Sequence, residues 1–257
     1  MGDLYIEKNG PIASLILNRP EKKNSLTLSM FKKLTLLLYE LEVDPTIKVL
    51  IVRGVDDTAF AAGADISEFL ENRISTEKAK EYNDIALQAV DKLYRFPKPT
   101  IAVIRKLAIG GGLEIALACD FRFASDDSLL GITAAKLGIV YNLTSTKRLL
   151  DVVGPSKTKE LLYTGKLMNA KEAHQIGLID YAYDGEEVYE KAIQLANQIS
   201  EKSSVSTNGI KSVIQSILDG AQSEDENISK LVLDSYSSDD YKEGIQAFLE
   251  KRKPNFL

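Results

Sequence analysis

The chain opens on an alternation of apolar and polar positions. Leu4 and Ile6, then Ile12, Leu15 and Leu17, flank the turn Asn9-Gly10-Pro11. Period-two spacing on both sides of a Gly-bearing turn predicts a β-hairpin, and Asn18-Arg19-Pro20 ends its second strand. The period then changes. Met30, Phe31, Leu34, Leu37, Leu38 and Leu41 share one helical face, with Thr27 as N-cap and Asp44-Pro45 as the stop. Val49-Leu50-Ile51-Val52 and Thr100-Ile101-Ala102-Val103-Ile104 are unbroken apolar runs, as expected of strands covered on both faces. A long helix is expected from about Thr76 to Arg95, halted by Phe96-Pro97-Lys98-Pro99. A further strand is expected at Phe121-Arg122-Phe123-Ala124. Strands and helices alternate to about residue 180, and from about Glu186 only helical patterns remain. The expectation is an α/β core over residues 1–185, with helices packed on a sheet, followed by a helical region over 186–257.

Composition narrows the possible partners. The 257 residues are 44% hydrophobic and 27% charged, and 32 basic against 37 acidic residues leave a net charge of -5. No broad basic field is available for nucleic acid. No run is long and apolar enough to suggest a membrane span, and the first residues lack the basic and apolar regions of a signal peptide, so the cytoplasm is the expected location. Cys119 is the single cysteine and sits in the apolar run Ala116-Leu117-Ala118, the setting of a small core residue. No Cys or His pair has zinc-ligand spacing, so no metal is expected. His174 is the single histidine, in a polar helical stretch. Acid–base chemistry therefore falls to carboxylates, tyrosines or backbone dipoles.

Two glycine-bearing turns follow buried strands. Gly110-Gly111-Gly112 leads into an apolar helix whose free N–H groups point back at the turn, an arrangement that favours negative charge. Either the turn packs helix on strand closely, or a ligand approaches its backbone. Glu114 lies in the first turn of that helix, between Leu113 and Ile115. It is either a partner for the helix dipole or a buried carboxyl with a raised pKa suited to proton transfer. The second turn, Ala62-Gly63-Ala64-Asp65, would also expose amides, with Asp65 capping the helix that begins at Ile66.

These segments together are more specific than either alone. Phe60-Ala61-Ala62-Gly63-Ala64-Asp65-Ile66, Lys98-Pro99, Gly110-Gly111-Gly112-Leu113-Glu114-Ile115-Ala116 and Cys119-Asp120 resemble the enoyl-CoA hydratase/isomerase (crotonase) family. So do Asn18-Arg19-Pro20 with Asn24, Leu162-Tyr163-Thr164-Gly165 and Phe248-Leu249-Glu250-Lys251-Arg252-Lys253-Pro254. The resemblance implies a ClpP/crotonase fold of repeated ββα units whose C-terminal helices mediate trimers or hexamers. It implies an acyl-CoA substrate, with coenzyme A present only as part of that substrate. It also implies an oxyanion hole made by the N–H groups of Ala64 and Gly111, with Glu114 as an acid–base residue. Coenzyme contacts are implied at Lys22, Lys23, Ala62, Asp65 and Ile66, with Phe248 and Lys251 near the adenine.

The sequence departs from the hydratase pattern at Ala134, where a second glutamate is expected. The next stretch, Val140-Tyr141-Asn142-Leu143-Thr144-Ser145, replaces a Pro-Gly-rich one. Leu137, Gly138, Tyr141, Asn142 and Leu143, with Thr133, look more like the methylmalonyl-CoA decarboxylase branch, which implies a tyrosine that orients the acyl group. Tyr141 is either that residue or a core aromatic. Ala64 stands where that branch carries a histidine. The expected chemistry is decarboxylase- or isomerase-like, through a thioester enolate. Enoyl-CoA hydration and a non-catalytic acyl-CoA-binding protein are the alternatives.

Overall fold

The structure, a computed structural model, describes residues 2–256. The hairpin forms as the alternation requires: β1 (Leu4–Asn9) and β2 (Ile12–Leu17) are antiparallel, with Leu4 opposite Leu17. Every later neighbour in this sheet is parallel. β3 (Val49–Gly54) pairs with β2, β4 (Thr100–Ile104) with β3, β6 (Phe121–Ser125) with β4, and β9 (Tyr181–Tyr183) with β6. Two long helices make the crossovers, as parallel strands demand. These are α1 (Leu28–Val43), whose N-terminal amide at Met30 is capped by Thr27 Oγ1 at 3.2 Å, and α3 (Thr76–Tyr94), capped by Ser75.

A second sheet is small, and its strands leave no apolar period in the sequence. β5 (Leu107–Ile109) runs parallel to β7 (Leu129–Gly131), which is antiparallel to β8 (Met168–Asn169). It explains the repeat. A strand of the large sheet is followed by a short strand of the small one, then by a helix. β4 and β5 lead into α4 (Gly111–Leu117). β6 and β7 lead through a 3-10 turn at Ala134–Leu137 into α5 (Leu143–Thr164), which kinks at Gly154 before Pro155. After β3, Ala61 makes an isolated parallel bridge to Ala108, so the first glycine turn is attached to the edge of the small sheet.

Leu15, Leu17, Leu50, Val52, Ala102 and Ile104 are buried in one core with α1, α3 and α4. On the other face, Val188, Ala192 and Ala196 of α7 (Val188–Ser200) are buried in a separate cluster with Val49, Ile51, Ile101 and Val103. A boundary drawn at 185/186 therefore separates the sheet from a helix that completes its core. Beyond α7, α8 (Ser204–Leu218), α9 (Glu226–Ser237) and α10 (Asp239–Leu249) pack mainly on one another, tied back by Lys211 to Asp120 at 2.7 Å. They leave Ile214, Leu233 and Phe248 exposed. Cys119 is a core residue, and His174 lies exposed on α6 (Ala170–Gln175). No helix among the described residues is long and apolar enough to cross a membrane.

Candidate active site

The two glycine turns meet. A Cβ built on Gly112 would lie 2.2 Å from the carbonyl oxygen of Ala61, so only glycine allows the start of α4 to seat against the first turn. Gly63 has φ +107, and a Cβ there would stand 3.0 Å from Ile109 O and 3.9 Å from Gly111 N. Both turns are anchored to sheet edges: Ile109 N donates to Ala61 O at 3.0 Å, and Gly110 N to Gly131 O at 2.8 Å.

This anchoring decides where the remaining amides point. Leu26 N donates to Gly63 O and Asp65 N donates to Leu26 O, both at 2.8 Å. In that parallel bridge the intervening N–H of Ala64 must face away from Leu26. Gly111 is the first residue of α4, where an N–H has no partner within the helix. Among the described residues, neither the Ala64 nor the Gly111 amide donates a backbone hydrogen bond. Both turns line one cavity of about 190 Å3, together with Ala62, Ile66 and Glu114. Two free donors on adjoining turns suit an oxygen that gains negative charge.

Glu114 is the single carboxylate lining this cavity among the described residues. Burial pushes its pKa up, against the opposing pull of Ser145, Arg148, Tyr141 and Arg73. Ser145 Oγ donates to Glu114 Oε1. Asn142, the N-cap of α5, locks that serine from both sides. Its Oδ1 accepts from Ser145 N at 2.9 Å, and its Nδ2 donates to Ser145 Oγ at 3.0 Å. The serine hydroxyl thus has its acceptor position filled and its proton aimed at the carboxylate. Tyr141 also lines the cavity. Its hydroxyl is buried without a completed hydrogen bond. Burial, and then the charge of Glu114, raise its pKa well above 10.0, so it stays a neutral phenol able to donate.

Thr133 and Ala134 line the same cavity, where Thr133 precedes the 3-10 turn. Arg73 lines it as well, its guanidinium 4.1 Å from the ring centroid of Phe69 and 4.3 Å from that of Tyr82. The other expected contacts are dispersed. Lys22 and Lys23 are exposed beside the first turn, where Ala62 N donates to Lys23 O at 2.9 Å. The Asp65 side chain is committed elsewhere: it accepts from Ser67 N at 3.1 Å, pairs with Arg19 at 3.0 Å, and does not line the cavity. Phe248 is 83% exposed and borders a different groove, and neither it nor Lys251 reaches this cavity within one protomer.

Sequence reasoning missed Ser145 and Arg73. The Asn142 cap three residues before Ser145 was the available signal for the first. Arg73 follows Glu71 and Asn72 in a polar stretch that reads as a solvated surface.

The chain is similar to known proteins over nearly its whole length. A family model described as enoyl-CoA hydratase/isomerase matches residues 7–257. The chain is 33% identical to a crotonyl-CoA hydratase of Syntrophomonas wolfei, over 99% of this chain and 98% of that protein. It is 32% identical to a short-chain-enoyl-CoA hydratase of Clostridium acetobutylicum, over 98% and 97% respectively. The crystal structure of an enoyl-CoA hydratase/carnithine racemase from Magnetospirillum magneticum superimposes with a TM-score of 0.96 at 32% identity, covering 100% of this chain and 96% of the other.

Proposed function

The chain belongs to the enoyl-CoA hydratase/isomerase family, and from that premise we propose that it moves a proton on an acyl-CoA thioester through an enolate, using one carboxylate, in an isomerase- or decarboxylase-like reaction. The thioester oxygen takes the N–H groups of Ala64 and Gly111. Glu114 works at the carbon next to the carbonyl. In an isomerisation its ionised carboxylate removes a proton from that carbon, and the C–H electrons pass into the thioester as a dienolate. The carboxyl then returns the proton two carbons further on, shifting the double bond. In a decarboxylation the departing carbon dioxide leaves its electron pair in the same enolate, and protonated Glu114 delivers the proton. Tyr141 donates to the acyl group, and Ser145 holds the carboxyl of Glu114 in place. By the same reading, the adenine end of the coenzyme meets Phe248 and Lys251 of a neighbouring copy in a trimer or a dimer of trimers.

One observation carries the choice of reaction: among the described residues Glu114 is the single carboxylate of the cavity, and the position of a second acid is Ala134. Adding water needs one group to activate it and another to handle the α-carbon proton. Hydration is the second reading, favoured by the names of the curated relatives. The test sets crotonyl-CoA hydration against the shift of a 3-enoyl-CoA to its 2-enoyl isomer and against carbon dioxide release from methylmalonyl-CoA. Isomerisation or decarboxylation outpacing hydration, and slowed in Tyr141→Phe, is expected. Rapid hydration that is indifferent to Tyr141→Phe decides for the second reading.

A further inference from the structure

Among the described residues, Arg73 forms no ion pair and no side-chain hydrogen bond. It stands on the short link between α2 (Phe69–Asn72) and α3, and its side chain enters the wall of the acyl cavity. Phe69 and Tyr82 hold the guanidinium at 4.1 and 4.3 Å from their ring centroids. Cation–aromatic contacts of this kind engage the guanidinium without using its N–H groups, which project from its edge. Those edge donors have little to bond. Nε is buried with no hydrogen-bond partner, and among the described residues no carboxylate pairs with the group.

Two acids near the Tyr82 ring, Asp65 and Glu68, are engaged elsewhere. Asp65 is paired with Arg19 at 3.0 Å, and Glu68 accepts from Leu28 N at 2.8 Å at the head of α1. Glu114, the single carboxylate lining the cavity among the described residues, accepts from Ser145 at Oε1 and acts on Arg73 through space, with no hydrogen bond between them. The edge of the guanidinium therefore lacks a hydrogen-bonded anion at the cavity wall. A neutral acyl chain would leave those donors unpaired in a partly desolvated place, which is unfavourable.

We infer that the acyl group of the substrate carries a carboxylate, seated on the edge of the Arg73 guanidinium. The inference rests on the acyl-CoA reading above. Paired with a cation, this carboxylate is stabilised as a charge, so it is a recognition group and not the one that departs. Within the proposed function this points to the double-bond shift rather than to loss of carbon dioxide.

The test is binding by titration calorimetry, with saturated thioesters that cannot be turned over by a double-bond shift. Glutaryl-CoA is compared with pentanoyl-CoA, and succinyl-CoA with butyryl-CoA, in the wild type, Arg73→Met, Arg73→Gln and Arg73→Lys. A charge-assisted pair predicts that at least one dicarboxylic thioester binds about tenfold or more tightly than its neutral mate. The ratio should fall toward one in the Met and Gln variants and recover in part with Lys. Thermal melts identify any variant that fails to fold, and the wild-type ratio stands regardless. A wild-type ratio of one or below for both pairs overturns the inference and leaves the acyl-CoA reading intact. So does a preference that survives Arg73→Met. If neither thioesters nor coenzyme A itself bind, both the inference and that reading fall.

Discussion

The cavity has one wall made of main chain and another made of side chains. The main-chain wall, residues 61–64 and 110–112, is tied to sheet edges by backbone hydrogen bonds at 2.8–3.0 Å. Its donors are amides, fixed wherever the ladders fix them, and their identity is independent of any side chain. The other wall draws on Glu114, Tyr141 and Arg73, delivered by α4, by the segment ahead of α5, and by the link ahead of α3, with Ser145 of α5 bonded to Glu114 behind it. There the chemistry depends on residue type and on protonation. On the proposed function, the first wall provides what every thioester enolate needs, and the second determines which proton moves and on which acyl group.

Damage to the side-chain wall should be largest at Glu114. Glu114→Gln keeps the shape and removes the exchangeable proton, and positioned acid–base groups are worth roughly 100- to 10,000-fold. Turnover measured on the best thioester should fall by that order while its binding persists. An unchanged rate would assign proton transfer to another group.

The main-chain wall can be broken without touching a side chain. Gly111 is the first residue of α4, a position where proline is tolerated, so Gly111→Pro deletes one donor. A loss of about 100- to 1,000-fold in kcat is expected. Gly111→Ala is the control. It keeps the N–H, and its Cβ would sit 3.6 Å from Ala64 N and Leu26 Cδ1, an ordinary contact. Equal losses in the two variants would argue against the amide as the active group.

Titration separates the walls further. Since burial raises the pKa of Glu114, a step that needs the ionised form should switch on with a limb above the usual carboxylate value of 4.5. Ser145 donates to the charged form, so Ser145→Ala should move that limb to higher pH with only a modest change in the plateau rate. A limb that stays in place would remove Ser145 from the site.

The smallest effect is on stability. A carboxyl whose folded pKa is raised contributes fully below its unfolded value and loses that contribution as pH rises through the folded value. Denaturant melts of wild type against Glu114→Gln should show the variant gaining relative stability from about pH 4.5 upward. A pH-independent difference would mean that Glu114 is not desolvated as described.

The contrast also marks what sequence can convey. Glycines carry the main-chain wall, and their spacing after buried strands is visible because no other residue fits where a Cβ would strike Ala61 O or Ile109 O. The hairpin, the Thr27 cap and the apolar parallel strands were legible for the same local reason. The small sheet was not, because β5, β7 and β8 are only two or three residues long and show no period. Ser145 and Arg73 were not, because helices folded back from elsewhere give them their importance. Asp65 was legible as a cap: its side chain accepts from Ser67 N at the head of the turn that begins at Ile66, and Arg19 takes its other oxygen.

The single bridge from Ala61 to Ala108 has a practical corollary for anyone wishing to alter this protein's substrate range. It couples the first turn to the small sheet, so a side chain that displaces Ala61, or one that grows from Gly112 against its carbonyl, would trade against folding itself. Arg73 is half-buried and belongs to no strand, and Leu137 and Val140 are exposed residues that line the cavity, so libraries should be concentrated at these positions and spare the Asn142–Ser145 cap.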